Sequence, residues 1–171
     1  MKFEIPTVGL ALVALGSNLD DSLGIVAKAM DLLERLSQQP LRRSSFWRTT
    51  PVNCPLGSPS FVNAVVGLVS KVDETPETLM QKLQALEKEF GRPAKKAMNE
   101  PRPLDLDLIA FGRETRATPT LMLPHPRAHR RRFVLEPLAE IAPDLVLPGQ
   151  IQNVSEQLEA LRSLEIVQRI R

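Results

Sequence analysis

The six residues Leu104-Asp105-Leu106-Asp107-Leu108-Ile109 alternate apolar and acidic side chains at period two. That pattern predicts a strand with its leucines on one face and both aspartates on the other, and it rules out an amphipathic helix there. The leucine face needs cover, and the rest of the chain supplies it. Val8 to Leu15, rich in Val, Leu and Ala, reads as a buried strand that stops in a turn at Gly16-Ser17-Asn18. From Leu23, the positions Leu23, Val26, Ala27, Met30, Leu33 and Leu36 recur at helical spacing, with Asp20 or Asp21 as cap and an end before Pro40. Ser44 to Thr50 and Phe61 to Val72 carry β-favouring residues and predict two antiparallel strands. Between them, Pro51 to Pro59 holds three prolines and a glycine and predicts an irregular loop large enough to carry function.

Thr75-Pro76-Glu77-Thr78 starts a second helix, with Thr75 as cap, and Leu79, Leu83, Leu86 and Phe90 form its core face. Gly91 ends it, and Pro93, Pro101 and Pro103 predict a long loop from Arg92 to Pro103. After the acidic strand come a helix from Phe133 to Ile141, a short strand from Asp144 to Leu147, and an amphipathic helix at about 153–163. The order strand, helix, strand, strand, helix, strand predicts an α+β fold, a ferredoxin-like antiparallel sheet with helices packed on it. With 171 residues, the expectation is one domain over 1–171, its core at about 7–148.

Composition removes several function classes. The lone Cys54 forms no internal disulfide or thiolate cluster, which fits a cytoplasmic setting. No apolar run approaches the roughly 20 residues needed to span a bilayer. Val8 to Leu15 could be read as a signal-peptide core, but Glu4 cancels Lys2 and Pro6 interrupts the flank. A net charge of +2 argues against non-specific nucleic-acid binding by the whole surface. Residues 92 to 135, however, hold ten Lys or Arg against four acids, so one segment is built for anions.

Asp105 and Asp107 stand roughly 6.5–7 Å apart along a strand, able to share one hard cation or bracket two, or simply to form a solvated face. Flanking cations favour the first reading: Arg92, Lys95, Lys96 and Arg102 precede the pair, and His125, Arg127, His129, Arg130, Arg131 and Arg132 follow it. Magnesium and phosphoryl chemistry suit such a set, although the arginine run by itself also suits a solvated helix or an RNA contact. Neither the P-loop nor the Rossmann glycine signature occurs, so side chains must clamp any nucleotide. Asn63 lies in an apolar strand, where its amide either reads a heterocycle or makes a structural bond. Trp47 and Phe61 stack on a flat ring or fill the core.

Taken in order, Ala14-Leu15-Gly16-Ser17-Asn18-Leu19, Ser45 to Pro51, Phe61-Val62-Asn63-Ala64-Val65-Val66, Glu87 with Gly91-Arg92, Pro101 to Asp107, Pro124-His125-Pro126 and Arg131-Arg132-Phe133-Val134-Leu135 form a specific set. On these residues the chain resembles the 6-hydroxymethyl-7,8-dihydropterin pyrophosphokinase family over nearly its whole length. The resemblance implies a ferredoxin-like core and transfer of pyrophosphate from ATP to the pterin's hydroxymethyl group in folate biosynthesis, releasing AMP. It implies two magnesium ions held by Asp105 and Asp107, and Arg92 and Arg102 as catalytic phosphate-gripping arginines of a mobile loop. Gln84, Glu87, His125 and Arg131 correspond to nucleotide-side positions. Lys95 stands where it can replace some of the loop's charge. Thr49, Val52, Phe61, Asn63 and Phe133 correspond to the pterin pocket. Small-molecule substrates, no nucleic acid, no membrane and a monomer are expected. Departures fall in the loop, where Ala94, Asn99, Glu100 and Pro103 stand at places that usually hold an arginine, an aromatic residue, a glycine and a threonine. Retained activity with altered loop behaviour is expected, and the alternative is an inactive relative that binds RNA or protein.

Overall fold

The computed structural model describes residues 9–19, 21–51, 53–91 and 103–171. Strand β1 (Leu10–Ser17) is buried along its whole length because its two faces serve two cores. Ala11, Val13 and Leu15 join one, while Leu10, Leu12 and Ala14 join the other. The strand runs two residues past its expected end, into the expected turn. Gly16 pairs with Asn63 on one side and with Asp105 on the other, so tertiary pairing overrides the local turn signal.

Helix α1 (Ser22–Glu34) is capped by Asp21, whose carboxylate accepts the Gly24 N–H at 3.1 Å. The short strands β2 (Arg42–Arg43) and β3 (Trp47–Thr49) both pair with β4 (Phe61–Val69). The expected single strand from Ser44 to Thr50 is thus shorter. Ser44 turns its hydroxyl to the Val65 N–H at 2.9 Å and spends its own N–H on the Val65 carbonyl, which interrupts the ladder. Helix α2 (Pro76–Glu89) starts at Thr75 with a reciprocal capping box to Thr78, and the left-handed Gly91, at φ +81°, follows its last turn.

Strand β5 (Asp105–Phe111) pairs antiparallel with β1. The resulting order β5-β1-β4-β3 is that of a ferredoxin-like sheet, as expected. A bulge opposite Leu12/Val13 leaves Ile109 as the extra residue, and its carbonyl accepts the His125 N–H at 2.8 Å. Strands β6 (Arg116–Ala117) and β7 (Met122–Leu123) form a hairpin, and the Leu123–Pro124 peptide is cis. Arg116 ties this hairpin to Glu77 of α2.

A single 3-10 turn (Ala128–Arg130) leads into α3 (Arg132–Ile141), and Asn153 caps α4 (Val154–Ala160). Helices α1 and α2 cover one face of the sheet, α3 and α4 the other. Asp144 to Leu147 is not a strand. The Leu145 carbonyl takes the Val154 N–H at 2.9 Å, so this backbone is spent on closing the α3–α4 connection. The last helix also ends earlier than expected, at Ala160. Beyond it the chain extends and adds β8 (Val167–Arg169) beside β3, an element without a signal in the sequence.

Candidate active site

Pairing across β4, β1 and β5 aligns Asn63, Gly16 and Asp105 in one row and Val65, Ala14 and Asp107 in the next. The aspartates face the α3 side, opposite Leu106 and Leu108, which are buried under α1 and α2. Over this end of the sheet lies a cavity of about 280 Å³. Gly16 forms part of its floor, and a Cβ there would come within 3.0 Å of Asn63 Oδ1. The glycine read as a turn residue is therefore a close-approach position in a strand.

One end of the cavity is aromatic and amide in character. Phe61, Phe133, Asn63 and Thr49 line it. The buried Asn63 amide donates to Thr49 Oγ1 at 2.8 Å, which fixes its orientation and leaves Oδ1 over Gly16. The other end is ionic, with Asp105, Asp107, Arg127, Arg130 and Arg131. Arg131 Nη1 stands 4.0 Å from Asp107 Oδ2, and its guanidinium lies 5.5 Å from the Phe133 ring centre. Burial and the neighbouring Arg127 lower the Arg131 pKa, against the pull of Asp107, Asp105 and Glu165. A desolvated arginine beside another cation is a site that an anion would relieve.

His125 stands near enough to feel Arg131, Arg127 and Asp105. Burial first, then Arg131 and Arg127, push its pKa down to about 4, so the imidazole is neutral at pH 7. Its Nδ1 accepts the Arg127 N–H at 3.2 Å, leaving the proton on Nε2 as a donor. Glu87 is buried on α2, and its Oε1 accepts the Leu106 N–H at 2.8 Å, between the two aspartates. Gln84, one turn earlier, is exposed and is not brought to the cavity. Arg92, Lys95, Arg102 and Val52 lie outside the described residues, as do Ala94, Asn99 and Glu100.

The arginine run divides clearly. Arg127, Arg130 and Arg131 line the cavity, whereas Arg132 pairs with Glu136 at 3.2 Å on α3. Thr50, Asn53, Cys54 and Glu165 also line it and were not singled out from the sequence. For Thr50 to Cys54 the loop's proline content was the available signal.

Two carboxylates on one strand face supply hard oxygen donors suited to magnesium, which keeps water and phosphate oxygens in its remaining positions. Among the described residues no third His, Cys, Asp or Glu completes a group with them. A pair of carboxylates on one strand face fits an ion shared with a polyphosphate. No helix among the described residues is long and apolar enough to cross a membrane.

The model of the 7,8-dihydro-6-hydroxymethylpterin-pyrophosphokinase family matches residues 12–143. The chain is 39% identical over 140 residues to the 2-amino-4-hydroxy-6-hydroxymethyldihydropteridine pyrophosphokinase of Haemophilus influenzae, covering 81% of this chain and 85% of that protein. It is 41% identical over 137 residues to the protein of the same name from Pseudomonas aeruginosa, covering 80% and 82%. The fold matches the wild-type Plasmodium falciparum HPPK-DHPS crystal structure with pteroate at a TM-score of 0.70 and 12% identity. That match covers 88% of this chain and spans 44% of the solved one. Two aspartates on a bulged strand, a row of cavity-facing arginines and a family match running from β1 to the end of α3 agree on one conclusion: this chain belongs to the 7,8-dihydro-6-hydroxymethylpterin-pyrophosphokinase family.

Proposed function

We propose that the chain transfers the terminal diphosphate of ATP to the hydroxymethyl oxygen of 6-hydroxymethyl-7,8-dihydropterin, a step of folate biosynthesis. The observation that carries this reading is one cavity whose aromatic-amide end adjoins its carboxylate-arginine end. A flat heterocycle would occupy the end lined by Phe61 and Phe133, where their rings offer stacking surface and Asn63 Oδ1 an acceptor for its polar edge. A polyphosphate fits the ionic end, so the pterin's oxygen and the β-phosphorus meet where the two ends join.

In the transfer, the hydroxymethyl oxygen forms a bond to the β-phosphorus, the bond from that phosphorus to the bridging oxygen of the α-phosphate breaks, and AMP leaves. The hydroxyl proton is released. Asp105 and Asp107 would hold magnesium, which when bound neutralises phosphate charge and orients phosphate oxygens. Arg127, Arg130 and Arg131 bind and orient the phosphates and offset the negative charge that develops on the leaving AMP. Neutral His125 donates a hydrogen bond without adding a charge. Gly16 lets the ring approach the sheet. Arg92 and Arg102, which precede β5 in the sequence, would add cations to the phosphates, and Glu87 acts through β5 by holding the Leu106 N–H between the two aspartates.

The test is AMP release from ATP and magnesium, with and without the pterin, for wild type and the Asp105→Ala, Asp107→Ala double variant. Pterin-dependent AMP that vanishes in the variant is expected. A folded wild type that makes none would overturn the reading.

A further inference from the structure

Beyond α4 the chain extends with a strand-like alternation. Leu161, Ser163, Glu165 and Val167 are half-buried, while Arg162, Leu164, Ile166 and Gln168 are exposed. The pattern is inverted relative to an ordinary covering strand: Leu164 is 101% exposed and Ile166 60%, while Ser163 and Glu165 turn inward. A slip of one residue would bury both apolar side chains and expel the carboxylate. The register is nonetheless pinned. Thr50 donates its N–H to the Ile166 carbonyl at 3.1 Å and accepts the Ile166 N–H on Oγ1 at 3.2 Å, and β8 pairs Val167 with Thr49. Apolar burial is forgone to keep a carboxylate on the cavity wall.

Glu165 lines the cavity with Phe133, Arg131 and Thr50. Its Oε2 accepts the Phe133 N–H at 3.3 Å, at the N-terminus of α3, a helix whose preceding residue Arg131 gives no side-chain cap. Its own N–H is held by Ser163 Oγ at 3.1 Å. The charge also falls on Arg131. A carboxylate is the group that exposed helix N–H donors favour.

We propose that Glu165 is a positioning residue for the heterocycle end of the pocket: it fixes the start of α3, and with it the Phe133 ring, while the extended segment that carries it and leads into β8 braces Thr49 and Thr50. This deepens the pyrophosphokinase reading and rests on it. Glu165 sets how well the ring is held and takes no part in the bond changes.

Steady-state kinetics of wild type, Glu165→Ala and Glu165→Gln test the role. Losing the acceptor in Glu165→Ala should raise the KM for the pterin about tenfold, the size expected for one hydrogen bond to an ionised group, with kcat within about threefold. Glu165→Gln keeps an acceptor oxygen and should stay within about threefold of wild type in KM. Should the alanine variant melt too low to assay, Glu165→Asp withdraws the carboxylate from Phe133 by one methylene while keeping its charge, and should raise the pterin KM likewise. An unchanged pterin KM in the shortened variant, a loss confined to kcat, or a glutamine variant as impaired as the alanine one overturns the proposal. Wild type that turns over while Glu165→Ala matches it sinks this inference alone; wild type without pterin-dependent AMP sinks it together with the functional reading.

Discussion

Adjacent arginines in this chain have different work. Arg131 is half-buried against Phe133 and 4.0 Å from Asp107, whereas Arg132 is spent on Glu136 one helical turn away. Arg131→Ala should therefore raise the KM for ATP about ten- to a hundredfold, as loss of a charge-assisted contact does, while Arg132→Ala stays within about twofold. Kinetics of the two single variants at saturating pterin check this. His125 provides a second prediction, of stability. Its folded pKa of about 4 lies below the ordinary 6.5, so between those values the unfolded chain binds a proton that the folded chain refuses. Its contribution is intact above about pH 6.5 and is lost as pH falls through about 4. Urea midpoints measured across that window in metal-free buffer should decline less steeply in His125→Gln. The sequence named His125 and Arg131 through a resemblance, but the neutral state follows from burial and from two arginines folded against the ring, which spacing along the chain does not encode.

Elements position the aspartates more than local loops do. Strand β5 is an edge strand, and the Glu87 carboxylate on α2 takes the outward Leu106 N–H between Asp105 and Asp107. Glu87→Ala should cost about 1–3 kcal/mol, the penalty for orphaning a buried donor, and lower kcat; Glu87→Gln should lose less. Urea denaturation and AMP release measure both. Strands and helices with a strong period, namely β1, β4, β5, α1 and α2, were legible in the sequence. Strand β8 was not: three residues, two of them exposed, give no pattern, and the strand exists because Trp47, Arg48 and Thr49 offer it a ladder. The Asp144 to Leu147 strand failed for the opposite reason, since apolar residues there fill a helix–helix corner instead of a sheet. Glu165 carried no usable signal in the sequence, because the inversion of Ser163, Leu164, Glu165 and Ile166 is defined only by which side the fold buries.

At the scale of the molecule, Arg127, Arg130 and Arg131 of the arginine run turn into the cavity, while Arg132 is paired with Glu136. A single-stranded RNA oligomer should accordingly bind weakly and lose its binding steeply between 50 and 200 mM salt, whereas pterin-dependent AMP release at saturating magnesium should change by less than about threefold. Titrations in parallel separate the two readings. The cavity draws its walls from Ala14 through Glu165, segments far apart along the chain that meet across the sheet and at the start of α3. Pairings of such large sequence separation close slowly, so the pocket is expected to form late in folding. Substrate then acts as a staple across the whole fold: a ligand at a hundred times its Kd adds about 2.7 kcal/mol to global stability, which makes the melting temperature itself a gauge of occupancy.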